Sequence, residues 1–185
     1  LLMFILVTVA AVDAPGHEWT AMLSGVAVAL SAALSVLGAR ASVTLLTQTD
    51  TVAIALRNMM LTQDGPDRQK QMDLIQQAGA LSDKNLELLD KVMVLPQGRQ
   101  LLKEMKDQRA KYQTGYQALT ALIMADKADE SRTYLSNQLR PVLADYKKAI
   151  SAMVDFQKGI LEATAKSSDQ TYAQARTLLI TLDVL

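Results

Sequence analysis

The chain has 185 residues, 50% of them hydrophobic and 4% aromatic, with 19 Lys and Arg balanced by 19 Asp and Glu. The absence of Cys excludes a disulfide scaffold, a thiolate metal site and a cysteine nucleophile. A single His, His17, leaves no multi-histidine metal cluster, and zero net charge is unlike the basic balance of a general nucleic-acid binder.

From the N-terminus, residues 1–38 carry no Lys or Arg, and their only acids are Asp13 and Glu18. Two apolar runs lie here, LLMFILVTVAAV over 1–12 and the uncharged AMLSGVAVALSAALSVLGA over 21–39. About 20 apolar residues is the length of a membrane-spanning helix. By composition 20–38 is the better span. A first helix matched in length to the last would instead begin near Asp13, making 1–12 the tail of the span. A further apolar run opens at Leu178 and continues to Leu185. The expected organisation is an apolar N-terminal segment at 1–42, a polar domain at 43–178 and the start of a second membrane helix at 179–185, which also implies contact with lipid.

The polar part is divided by three turn signals: Asp64-Gly65-Pro66, Pro96-Gln97-Gly98 and the patch from Asp126 to Asp129. They leave helices over 67–95 and 99–125, one long run before them and another after. No stretch alternates with period two. Four helices joined by short turns predict an all-α, antiparallel up-down-up-down four-helix bundle. Pro141 predicts a kink or first-turn break near Arg140.

Heptad seams run along each helix. The second follows Met72, Ile75, Gly79, Ser82, Leu86, Leu89 and Met93. The third follows Leu102, Met105, Arg109, Tyr112, Tyr116, Leu119 and Ile123, and the last follows Leu139, Val142, Tyr146, Ala149, Met153, Phe156 and Ile160. The first helix offers two phases, Leu45/Thr49/Val52/Leu56/Met59 and Val43/Leu46/Asp50/Ala53/Arg57/Met60. One can face the bundle and the other a second copy, which predicts a homodimer through the first helices.

Arg109, Tyr112 and Tyr116 interrupt the apolar third seam, and Tyr146 interrupts the last. Counted along the helix rise, they fall level with the small residues Gly79 and Ser82. A guanidinium and phenol hydroxyls opposite a gap suit a compact anion. The alternative is structural: Arg109 pairs with Asp83, Asp107 or Asp145, and the tyrosines reach solvent from a bundle edge.

Enzymatic motifs are absent: there is no Gly-rich phosphate loop, Walker pattern or H-E-x-x-H. The acid pairs Glu87/Asp90 and Asp126/Asp129 suit solvated faces and turns, and Lys147-Lys148 is too short for a nucleic-acid patch. Neither enzymatic activity, nor a cofactor, nor a metal is expected.

Several segments carry a resemblance. Ala53-Ile54-Ala55-Leu56-Arg57-Asn58-Met59-Met60-Leu61 precedes an Asp-Gly-Pro turn. Leu95-Pro96-Gln97-Gly98-Arg99 leads into the helix with Arg109 and Tyr112. Leu139-Arg140-Pro141 is followed by Tyr146, and Thr171-Tyr172-Ala173 precedes the apolar end. In this order they resemble the periplasmic four-helix-bundle ligand-binding domain of bacterial methyl-accepting chemotaxis proteins, over roughly 43–185. The resemblance implies a homodimeric receptor of the bacterial inner membrane, with a periplasmic sensor binding ligand in its membrane-distal half and signalling for chemotaxis. It also implies that arginines grip ligand carboxylates. Gln48 and Ala53 stand where amino-acid receptors of the family carry arginines, whereas Arg109, Tyr112 and Tyr146 look more like members that bind organic acids. Tyr116 stands where those members carry a further Arg.

The expected ligand is therefore a small carboxylate. Arg109 would supply the charge, Tyr112 and Tyr146 hydroxyls, Gly79 and Ser82 room, and Tyr116 a wall, with Arg57 and Arg140 as further ligand-binding candidates. A sensor kinase, a cyclase or a plain structural membrane protein could use such a bundle as well.

Overall fold

A computed structural model describes residues 17–182, and side chains over 25–166. The described residues form α1 (His17–Leu61), α2 (Gly65–Val92), α3 (Pro96–Met124), α4 (Ala128–Tyr134), a π-helical turn (Leu135–Leu139) and α5 (Arg140–Leu182). The last three are continuous, so the chain makes four helical runs and, among the described residues, no strand. The fold is the all-α four-helix bundle that the seams predict. Gly38–Val154 forms one compact unit, which holds the core described below; the described residues before it, 17–37, and after it, 155–182, form a second. The expectation for 1–12 lies outside the described residues, as do the side chains of 179–185. Within α1, Gly25–Leu61 includes a stretch long and apolar enough, by length and composition alone, to cross a membrane.

Burial selects one of the two α1 phases. Leu45, Thr49, Val52, Leu56 and Met59 are buried, whereas Val43, Asp50 and Arg57 are exposed. From α3 come Leu102, Met105, Tyr112, Leu119 and Ile123, and from the last run Leu139, Tyr146, Ala149, Ile150 and Met153. Enclosing a Leu or Met side chain stabilises the fold by roughly 1.5–3 kcal/mol, so this seam holds the helices together. In α2 the buried line is Ile75, Ala78, Ser82, Leu86 and Leu89. It passes through Ala78, leaving Gly79 half-buried beside it.

The turns have identifiable causes. Asp64 caps α2 by accepting the Asp67 N–H at 3.2 Å, and Pro66 sits in the first turn, where its missing N–H costs nothing. At the end of α3 the chain reverses through Asp126, whose φ of 55° is left-handed. There the Asp126 N–H reaches the Ile123 carbonyl and the Lys127 N–H reaches Leu122, a Schellman closure with Asp in the place glycine usually takes. The Arg68 Nη1 donates to the Asp126 carboxylate at 2.6 Å and ties this turn to the start of α2.

Pro141 acts one turn earlier than a simple kink would. In an α-helix its ring would press on the Asn137 carbonyl and it could donate nothing to it. The chain widens instead: the Arg140 N–H bonds the Leu135 carbonyl, five residues back, and the π turn absorbs one extra residue.

Candidate functional site

On the α2–α3 face of the Gly38–Val154 unit lies an open groove of about 530 Å³, with Gly79, Asp83, Arg109, Gln113, Tyr116 and Gln117 among its walls. Arg109, Gln113, Tyr116, Gln117 and Thr120 recur at helical spacing along one side of α3, so a single helix face supplies one wall. Gln69, Asp73, Gln76, Ala80 and Asp83 form the corresponding edge of α2.

Arg109 is the best-anchored group. Its Nη2 lies 2.7 Å from the Asp83 carboxylate and donates to the Gly79 carbonyl at 3.2 Å, while Nη1 donates to Gln113 Oε1 at 3.3 Å. The Arg109 side chain is 14% exposed and that of Asp83 61%, so a mostly buried cation is matched by an anion standing in solvent. Of the three carboxylates the sequence offered, the structure pairs Arg109 with Asp83.

Behind the groove the tyrosines form a chain through the core. Tyr116, in the groove wall, meets the Tyr112 ring edge-on at 5.4 Å, and Tyr112 stacks on Tyr146 of α5 at 5.7 Å. The Tyr112 hydroxyl donates to the Thr49 carbonyl of α1 at 3.4 Å. Tyr146 is buried, and its hydroxyl has no hydrogen-bond partner among the described residues. Burial pushes its pKa up to about 12, against the opposing pull of the Arg109 guanidinium and the Thr49 hydroxyl nearby. Burial likewise raises Tyr112, with the Tyr116 and Asp50 charges adding to it, and raises Tyr116, where Arg109 works the other way. All three phenols are therefore neutral donors at physiological pH.

The structure thus brings together Arg109, Tyr116 and Gly79 at the groove, with Tyr112 and Tyr146 stacked behind them rather than in the wall. Gly79 contributes its carbonyl more than empty space, since a Cβ there would meet the Tyr116 hydroxyl at an ordinary 3.9 Å. Ser82 is buried and donates to the Ala78 carbonyl at 2.8 Å, outside the groove wall. Arg140 is exposed, and Arg57 lines a different cavity near the interhelical turns. Sequence reasoning passed over the glutamines, although Gln113 and Gln117 sit four and eight residues beyond Arg109 on the same face. It also missed Gly115, where a Cβ would come within 2.8 Å of Leu139 Cδ1.

The model of the four helix bundle sensory module for signal transduction matches residues 43–172, well over half of the chain. The chain belongs to this family. Comparison with curated proteins gave no match. The sensory module is a signal-transduction sensor domain of the kind found in chemotaxis receptors, and its family is one of membrane-anchored receptor domains. The matched residues contain both the groove and the tyrosine chain behind it.

Proposed function

We propose that this sensory module is the periplasmic domain of a chemoreceptor in the bacterial inner membrane, that it binds a small carboxylate in the α2–α3 groove, and that occupancy is transmitted across the membrane. The observation that carries the ligand reading is the inequality of the Arg109–Asp83 pair. The cation is fixed and mostly buried, while its anion is exposed and free to exchange. A ligand carboxylate takes the place of Asp83 at a guanidinium that is already oriented, and the groove glutamines, Thr120 and the Tyr116 hydroxyl supply further polar contacts. Helices α1 and α5 carry the signal, since Tyr112 and Tyr146 join the groove wall to both. The outward α1 face, with Val43, Leu46 and Ala53, is the surface for a second copy.

The close Asp83 contact also favours a purely structural role for Arg109, and calorimetry on the full chain in nanodiscs separates the two. A screen of organic acids is expected to yield a ligand that Arg109→Ala weakens by roughly tenfold to a hundredfold, the effect of losing a charged hydrogen bond. Asp83→Asn, which removes the competing carboxylate, is expected to tighten binding. Equal affinity in wild type and Arg109→Ala, or no carboxylate ligand at all, leaves the pair as structure alone.

A further inference from the structure

The α2–α3 turn differs in chemistry from the turns at the opposite end of the Gly38–Val154 unit. Those turns carry Asp64, Asp67, Asp126, Asp129 and Glu130. From Lys91 to Lys103 the chain holds three basic residues, Lys91, Arg99 and Lys103, and no acidic one. The tip between the two helices is apolar and open to solvent: Val94 is 42% exposed, Pro96 is exposed and Leu95 is half-buried.

The basic side chains surround that tip. Arg99 Nε donates to the Met93 carbonyl at 3.2 Å, which holds the guanidinium against the turn and leaves its Nη groups available. Lys91, Arg99 and Lys103 are all exposed, and none makes an ion pair among the described residues. Lys106 is paired with Asp90. Arg99, Lys103 and Lys106 line a cavity of about 320 Å³ in which Asp90 is the single carboxylate.

Position decides what this surface meets. By the helix rise, α1 runs about 35 Å from Gly38 to Leu61 and α2 about 40 Å in the opposite direction. The α2–α3 turn therefore reaches the level at which α1 enters the unit. Along α1 that point is preceded by the uncharged run 21–39, and Arg40 is the first basic residue of the chain. An apolar tip within a basic collar is the pattern of a segment lying at the interface of an anionic bilayer.

We propose that the α2–α3 turn docks on the surface of the membrane that anchors the chain. Val94, Leu95 and Pro96 dip among the headgroups, and Arg99 and Lys103 hold the phosphate of an anionic lipid. The proposal rests on the reading of the chain as membrane-anchored, and takes 21–39 rather than 1–12 as its span.

The chain has no Cys, so single introduced cysteines report position without interference. Val94→Cys, Gln63→Cys on the opposite turns and Leu30→Cys in the uncharged run each receive an environment-sensitive fluorophore. The full chain is placed in nanodiscs of phosphatidylcholine, alone or with phosphatidylglycerol in equal parts, and quenched by lipids bearing a nitroxide on the headgroup or the acyl chain. The Val94 label is expected to be quenched from the headgroup, more strongly in the anionic discs. The Gln63 label is expected to escape quenching, and the Leu30 label to be quenched from the acyl chain in both discs. Arg99→Gln/Lys103→Gln is expected to lower the ratio of docked to undocked turn on the order of fivefold for each charge removed. Both side chains are exposed, so circular dichroism is expected to be unchanged. A Val94 label in water with Leu30 in the bilayer overturns the docking and leaves the anchor standing. A Leu30 label in water removes the anchor at 21–39 and the docking with it. Val94 quenching that is equal in the two discs, or unmoved by the double variant, overturns the hold on the lipid phosphate.

Discussion

Arg109 and Asp83 meet at 2.7 Å across the α2–α3 groove, yet they stand in different surroundings, one mostly buried and the other largely in solvent. Removing either partner therefore has unequal consequences. Asp83→Ala leaves a buried guanidinium with only the Gly79 carbonyl and Gln113, and is expected to lower stability by about 1–2 kcal/mol. Arg109→Met keeps the aliphatic packing and leaves behind only a solvated carboxylate, so a change of about 0.5 kcal/mol or less is expected. Urea unfolding of the two variants measures the asymmetry, and equal losses would show that the pair sits in a more uniform environment.

The Tyr146 hydroxyl is buried and makes no hydrogen bond of ordinary geometry among the described residues, whereas that of Tyr112 has a long bond to Thr49. A buried hydroxyl left unsatisfied costs about 1–3 kcal/mol. Tyr146→Phe is accordingly expected to leave the melting temperature unchanged or raise it, and Tyr112→Phe to lower stability by about 0.5–1 kcal/mol. Thermal unfolding followed by circular dichroism decides between these signs. A clear loss in Tyr146→Phe would mean that the hydroxyl is bonded through water.

Alkaline pH should act through the same two residues. An unfolded tyrosine releases its proton near pH 10, while Tyr146 in the fold holds on up to about 12, and Tyr112 is raised as well. Above pH 10 the unfolded state therefore binds fewer protons than the native state, and stability falls as pH rises. Below pH 10 this contribution is constant. The slope is about 1.4 kcal/mol per pH unit for each such group. Unfolding midpoints between about pH 9 and 11.5 are expected to drop less steeply in Tyr146→Phe than in wild type. Parallel curves would assign the alkaline loss to other groups.

Two glycines make a contrasting pair. A methyl group at Gly79 meets nothing closer than 3.9 Å, so Gly79→Ala is expected to stabilise α2 by about 0.5–1 kcal/mol through helix propensity. At Gly115 the same Cβ would press on Leu139, which is buried and cannot move freely. Gly115→Val is expected to cost about 1–3 kcal/mol, the usual range for overpacking. Chemical denaturation of both variants is sufficient to check the difference.

The helices, their turns and most of the core were legible because seven-residue spacing is a property of the sequence itself. Met105, Tyr112 and Leu119 step by seven and are all buried, and Asp64-Gly65-Pro66 caps and opens α2 at the place its residues indicate. The phase of α1 was not legible, since Leu56 and Arg57 each continue an acceptable stripe and only packing buries the first and exposes the second. The candidate site was legible by composition and not by depth. Arg109 and Tyr116 reach the groove while Tyr112, on the same seam between them, points into the core, a distinction of helix rotation finer than spacing provides.

The π turn leaves an arithmetic trace in the burial pattern. Tyr146 and Met153 follow Leu139 at intervals of seven, but the step back from Leu139 to the buried Ser131 is eight. The helix thus carries one residue more than its seam requires, and the wider turn keeps that surplus from rotating Ser131 out of the core. Deleting one residue from 136–138 would restore an even count and join the same two inward faces at ordinary helical pitch, with Pro141 left to kink the run. In this run, then, a one-residue change of length is a change of local pitch rather than of which residues face inward.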